Sequence, residues 1–313
     1  MFRPHCGGRV VAMPRFTLPQ LRLGCTSFVL PAGYVEGFRH GAACCSDVTL
    51  LLVDIGSRGE QLITEAEVRE IRSIAAGEGT TVSVHLPATI SLDTLAGARE
   101  LVRQAGMACE RVAALPVHTF VLHVHFRGLD TRRGGVAGRP TPEQDAWTRQ
   151  ALADIATLLP APHCLAVENL EGFAPDFWDG WLAETPYTRC VDVGHLWKDG
   201  IPPGSVLPQW LARTRMVHLH GLRPVLPPLS PVPAPAPVTA HSLAGEVTAR
   251  FGACPRDHTT LAHMPPAWVD AAVHPLWASG FAGVVTLEVF SPEALAQSHA
   301  VLCQSRERFT ARR

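Results

Sequence analysis

The chain has no G-x-G-x-x-G turn, no P-loop and no G-x-S-x-G elbow. These absences remove a dinucleotide fingerprint, a nucleoside-triphosphate cradle and a serine-hydrolase nucleophile. No apolar run is long enough to span a bilayer, and the opening MFRPHCGGRVVAMPRFTLPQ lacks the unbroken apolar segment of a signal peptide. A basic excess is also missing: 27 Lys and Arg stand against 28 Asp and Glu, and no Lys/Arg stripe occurs. A nucleic-acid partner, which is held mainly through its phosphates, is therefore not expected. None of the nine cysteines forms a C-x-x-C pair, and their number is odd. That usage predicts free or buried thiols in a reducing compartment. The expectation is a cytoplasmic protein with no membrane partner, beginning at Met1 or Met13, with residues 1–20 as a flexible extension.

What is present is a repeating alternation. Short apolar, β-branched runs occur at 22–30, 48–56, 81–87, 118–126, 164–170, 189–195, 215–221 and 283–290. Amphipathic helical patterns occupy 64–78, 91–106, 141–159 and 291–304. Thr64 with Glu67 and Thr141 with Gln144 have capping-box spacing, and Ser291 precedes a Pro at the first helical position. Eight near-continuously apolar strands alternating with helices predict an α/β protein of the (β/α)8 TIM-barrel type. The domain should cover residues 21–305, with 306–313 as a tail. A doubly wound open sheet is the competitor, without its usual glycine-rich turn. The Pro-rich stretch 223–240 interrupts the pattern after the seventh strand, which puts it over the C-terminal mouth.

Active sites of such barrels form where the strands end, and here nearly every strand end carries an ionisable residue. They are His85, His123 and His125, Glu168, Asp192 and His195, His218 and His220, and Glu288, followed after the insert by Asp257 and His258. Alternation puts His123 with His125, and His218 with His220, on common faces. In VDVGH, Asp192 and His195 are three apart and cannot share a face on a regular strand. A turn at Gly194 would bring them together, with the strand ending near Val193. A lone inward histidine is more often a hydrogen-bonded core residue, and His5, His40, His118, His163, His241, His263, His274 and His299 keep that reading. Carboxylates and imidazoles converging with few Lys or Arg among them require a cation, and the mixed N/O set suits Zn²⁺, Fe²⁺ or Mn²⁺.

AVENLEG, VDVGH, VHLHG and VTLEVF together resemble the xylose-isomerase-like barrels, which include sugar isomerases and endonuclease-IV-type (AP endonuclease family 2) enzymes. The likeness covers about 22–303. Matching positions in the endonuclease branch imply one to three divalent metals, with Zn²⁺ or Mn²⁺ the expected identity. The implied ligands are His85, His123, Glu168, Asp192, His195, His218, Asp257, His258 and Glu288. LGCTSFVLPAGY, YTRCVDVGHL, RTRMVHLHG and RDHTTL are similar to the cobamide-remodelling phosphodiesterases of the same superfamily. That resemblance implies a metal-dependent hydrolase opening the nucleotide loop of a vitamin B12-type cofactor. Glu168 and Glu288 would be the metal-bridging catalytic carboxylates and Asp257 a base orienting water. The alternative is a sugar (phosphate) isomerase or epimerase using Glu168 and Glu288 as opposed acid and base. An AP endonuclease is disfavoured by the balanced charge, and a non-catalytic cobamide- or metal-binding protein is the remaining rival.

Overall fold

Local propensity builds the frame first. Thr64 and Thr141 each accept a hydrogen bond from the backbone N–H three residues on, and Glu67 and Gln144 return it, so both capping boxes form. They open helices Glu65–Glu78 and Pro142–Thr157. Ser291 caps the final helix, Pro292–Ala311. The helix expected from 91 begins at Leu95 instead, because Thr94 is its cap, and it runs on to Val112.

The computed structural model describes residues 15–225 and 242–312. The strands are β1 Arg22–Thr26, β2 Asp47–Leu51, β3 Thr81–His85, β4 Val117–His123, β5 Leu165–Glu168, β6 Thr188–Asp192, β7 Thr214–Leu219, β8 Gly221–Arg223, β9 Arg256–Thr259 and β10 Val284–Leu287. Eight of them close a barrel in the order β1-β10-β7-β6-β5-β4-β3-β2, every neighbouring pair parallel. This is the expected TIM barrel. β8 and β9 form a separate antiparallel pair that the apolar pattern did not announce. No helix among the described residues is long and apolar enough to cross a membrane, and the eight described cysteines are free.

The expected domain edges shift. Arg308 donates to Asp270 at 2.7 and 2.8 Å and Ser305 at 2.5 Å, so residues 306–311 extend the last helix rather than forming a tail. At the other end, Phe16 and Leu18 are buried and Phe16 N–H donates to the Cys44 carbonyl. The part of the expected flexible extension that is described is thus packed on the barrel, while residues 1–14 lie outside the described residues. So does 226–241, most of the Pro-rich stretch.

The barrel interior is split. Val121, Ala166, Cys190, Met216 and Val284 form an apolar cluster, two or four residues below site residues on their strands. Thr26, Thr49, Ser83, Thr119 and Thr286 fill other buried positions with hydroxyls. At the far end from the mouth, Asp47 accepts from Thr81 Oγ1 at 2.5 Å and Ser83 Oγ at 3.1 Å. Its Oδ1 is buried without a partner. Burial raises its pKa from 3.8 to about 6, against the pull of Thr81, Ser83 and Arg22. A carboxyl whose pKa is higher in the fold favours the fold below its unfolded pKa, and that advantage is lost as pH rises through about 6. Asp47→Asn should therefore gain stability on wild type between pH 4.5 and 7.5, by an upper limit of about 3 kcal/mol. Urea midpoints of both proteins at the two pH values measure this, and a pH-independent difference would refute it.

Candidate metal centre

Glu168 closes β5 and is 1% exposed. Strand register sets it beside His123, the last residue of β4, and pairs Asp192 at the end of β6 with His218 of β7. His85 Nε2 and His123 Nε2 lie 3.2 and 3.1 Å from Glu168 Oε2. The other oxygen, Oε1, is 3.1 Å from His218 Nδ1. That same Nδ1 is 3.2 Å from Glu288 Oε2 and 3.9 Å from Asp192 Oδ2. Two groups of ligand atoms, each within 4.8 Å of one another, therefore share Glu168: His85–His123–Glu168 and Glu168–Asp192–His218–Glu288. Glu168 belongs to both groups, whereas Glu288, one residue past β10, belongs to one of them.

The donor set fits a divalent cation on three observations. His85 Nδ1 is 2.9 Å from the Leu86 carbonyl, which only accepts, so Nδ1 carries the proton. The other ring nitrogen, Nε2, faces a carboxylate oxygen at 3.2 Å, an arrangement that suits a cation held between them. His195 has the same two kinds of neighbour, with Nδ1 2.9 Å from the Asn169 carbonyl and Nε2 3.0 Å from Glu171 Oε2, so a cation could replace its Nε2 proton. Metal-binding histidines typically donate their second ring N–H in this manner. Finally, Glu168, Asp192 and Glu288 are buried together without a Lys or Arg partner among the described residues, which is costly unless a cation compensates.

Protons partly take that role. Burial lowers the basicity of His195, but Asp192, Glu171 and Glu168 outweigh it and raise the pKa to about 9. Burial opposes charge on His218 too, and Cys190, Glu288 and Glu168 push it well above the ordinary range. Glu168 is held well below a normal carboxyl, since His218 and His123 overcome its burial. His218 Nε2 is buried with no partner.

VDVGH is built differently from the sequence expectation. β6 ends at Asp192, and the helix Val193–Lys198 begins at once, capped by Asp192 Oδ1 accepting His195 N–H at 2.7 Å. The two residues are three apart because this is a helix cap, and Gly194 has an ordinary helical φ. Its lack of a side chain serves packing instead: a Cβ there would lie 1.9 Å from His220 Cε1. His220 is itself fully buried, with Nε2 3.2 Å from Asp192 and Nδ1 accepting His258 N–H at 3.1 Å. These bonds put its proton on Nε2 and make it an orienter of Asp192.

Asp257 and His258 arrive on β9, which β8 holds over the mouth. His258 has φ 49, a left-handed conformation that a non-glycine residue adopts at some cost. Its ring lies 4.3 Å from His220 and 5.1 Å from Phe290, and Nδ1 is 3.7 Å from Glu288 Oε2. Asp257 is ion-paired: its Oδ2 accepts from Lys198 Nζ at 2.6 Å, and Lys198 also donates to Glu171 at 2.8 Å. A third ligand group, Glu171–His195–Asp257, forms around this lysine. The sequence reading expected a metal or a water beside Asp257 and missed the ammonium. It also missed Glu171 and Asn169, whose side chain clasps Asp192 N–H and C=O at 2.9 Å each. Glu171 had a signal, since it follows Glu168 at the same spacing of three that joins Asp192 to His195. Of the other histidines, His118, His274 and His299 bond away from the mouth, and His5 and His241 lie outside the described residues.

No family model matches the chain, and no curated protein does. Solved structures do. A D-tagatose 3-epimerase-like protein superposes with a TM-score of 0.67 at 13% identity, over 93% of this chain and 99% of that one. A xylose isomerase domain protein from Planctomyces limnophilus gives 0.62 at 13% identity, over 95% and 99%. A xylose isomerase-like TIM-barrel protein from Mycobacterium smegmatis, in complex with magnesium, gives 0.57 at 10% identity, over 92% and 97%. The fold these structures share with the chain is the closed (β/α)8 TIM barrel. The resemblance to cobamide-remodelling enzymes gains no support from these structures, which are described as epimerase-like, as a xylose isomerase domain protein and as xylose isomerase-like.

Proposed function

We propose that the chain is a divalent-metal-dependent isomerase or epimerase acting on a sugar or a similar polyhydroxylated carbonyl compound. The observation that carries this reading is the pair of carboxylates, Glu168 and Glu288, set 3.1 and 3.2 Å from one buried imidazole nitrogen, with Asp192 beside them. The names of the superposing structures support the same chemistry. Glu168, Asp192, His218 and Glu288 would hold the ion, which when bound acts as a Lewis acid toward the carbonyl and neighbouring hydroxyl oxygens. One carboxylate removes the proton from the carbon next to the carbonyl, and the other returns one from the opposite face. Return to the same carbon inverts it; return to its neighbour moves the carbonyl. Burial of both carboxylates excludes the water that would otherwise level their basicity. His220 and Asn169 keep Asp192 oriented.

A second reading stays open because of a specific observation: the His85–His123 group shares Glu168 with the first, and Glu171–His195–Asp257 adds a third. Shared carboxylates between adjacent ions suit phosphodiester hydrolysis, including the nucleotide loop of a cobamide. One experiment separates the two. Metal content per chain is measured, and ketohexoses, their phosphates and adenosylcobalamin are each incubated with the Mg²⁺-, Mn²⁺- and Zn²⁺-loaded protein in D₂O. The isomerase reading expects one ion per chain and deuterium at the reacting carbon. Two or three ions with a cobinamide product and no exchange into any sugar would overturn it.

A further inference from the structure

The cavity above the centre, about 420 Å³, is lined on one side by the metal-ligand candidates and on the β4 side by His125, Arg127 and Arg133. The isomerase mechanism uses none of these three. His125 is 8% exposed, and among the described residues its buried Nδ1 has no hydrogen-bond partner. Among the described residues the Arg127 guanidinium has no hydrogen-bond or ion-pair partner. Its backbone alone is engaged: the N–H donates to Ser91 and Asp93, and the carbonyl accepts Asp130 N–H at 3.4 Å. Arg133 contacts Asp130 at 3.3 Å with its own side chain 70% exposed, leaving most of its donors free. The acids of this lip are already engaged, Asp130 in part by Arg133 itself. Asp93 accepts the backbone N–H groups of Arg127 and Gly128, and Asp130 also accepts Arg132 N–H. Across the cavity, Lys198 satisfies Glu171 and Asp257.

We infer that His125, Arg127 and Arg133 form an anion subsite that takes a phosphate group on the substrate. Two guanidiniums supply planar, charge-assisted donors of the kind that match a tetrahedral oxyanion, and the buried His125 nitrogen supplies a ring donor or acceptor at its base. The group lies on the loop that continues from His123, so the phosphate would be anchored on the same strand end that supplies a metal ligand. Anchoring a remote anion positions the reacting carbon at the carboxylates. The remainder of the substrate, a phosphorylated sugar rather than a neutral one, rests on the isomerase reading above. A phosphodiester would present the same chemistry.

The test titrates inorganic phosphate into the full-length protein by calorimetry, both metal-loaded and chelator-treated, for wild type, Arg127→Gln, Arg127→Gln/Arg133→Gln and His125→Gln. Wild type should bind phosphate in the millimolar range without metal, and the double variant at least about tenfold more weakly. The arginines are on the surface, so circular dichroism should show the variants folded. Undiminished binding by the double variant, or no binding by chelator-treated wild type, overturns the subsite. KM for a ketose phosphate should rise in Arg127→Gln with KM for the free ketose unchanged, and a dinucleotide phosphodiester as competitor distinguishes a phosphodiester source. Arginine-dependent phosphate binding without sugar turnover leaves the subsite standing and sinks the isomerase reading. Turnover of neutral sugars with arginine-independent phosphate binding does the reverse.

Discussion

For the proposed isomerase, Glu168→Gln should lower turnover by at least about 10³-fold and weaken metal binding, while the barrel stays folded. Glutamine keeps the volume of the side chain, so the packing at the end of β5 is retained. It removes the negative charge that His85, His123 and His218 all face at 3.1–3.2 Å. Among the described residues no other carboxylate belongs to both the His85–His123 group and the Asp192–His218–Glu288 group, so none can substitute. An amide offers one oxygen to a cation where the carboxylate offered two, and it cannot take up a proton at neutral pH. Metal analysis, kcat and the melting temperature measured together make the result specific. Retention of a tenth of the wild-type rate at unchanged metal content would show that Glu168 is structural.

Gly194→Ala should destabilise the protein by about 2 kcal/mol or more and reduce metal binding with it. Two effects oppose each other at this position. Alanine in a helix interior is favoured over glycine by roughly 1 kcal/mol. The new Cβ, however, would fall 1.9 Å from His220 Cε1 and 2.4 Å from both ring nitrogens. His220 has nowhere to go, being fully buried with Asp192 against one nitrogen and His258 N–H against the other. Either the helix or the ring must shift, and a shifted ring releases Asp192. Thermal denaturation of Gly194→Ala, and of Gly194→Ala with His220→Ala, measures this. The double variant should recover stability by making room, without recovering activity. A Gly194→Ala protein as stable as wild type would mean that the ring is free to move.

Much of the frame was legible. Strand existence, the capping boxes and the N-cap at Ser291 follow from period and short-range chemistry, because each depends on residues within about four positions of one another. The strand ends were less so. β6 was expected to run to Val193, whereas the Asp192 side chain captures the His195 N–H and starts a helix one residue earlier. β9 was invisible as a strand because RDHT alternates no apolar face; only its pairing to β8 makes it one.

The sequence by itself determined that imidazoles and carboxylates would gather at one mouth, since alternation along a strand and the common direction of eight parallel strands put them there. The tertiary structure alone decided which of them meet. It made Glu168 the shared carboxylate and paired Asp257 with Lys198. It turned His220 into a prop for Asp192 and gave Gly194 its reason to be glycine. These contacts join residues 26 to 83 positions apart. They depend on barrel closure and inter-strand register, which no local pattern of residues encodes.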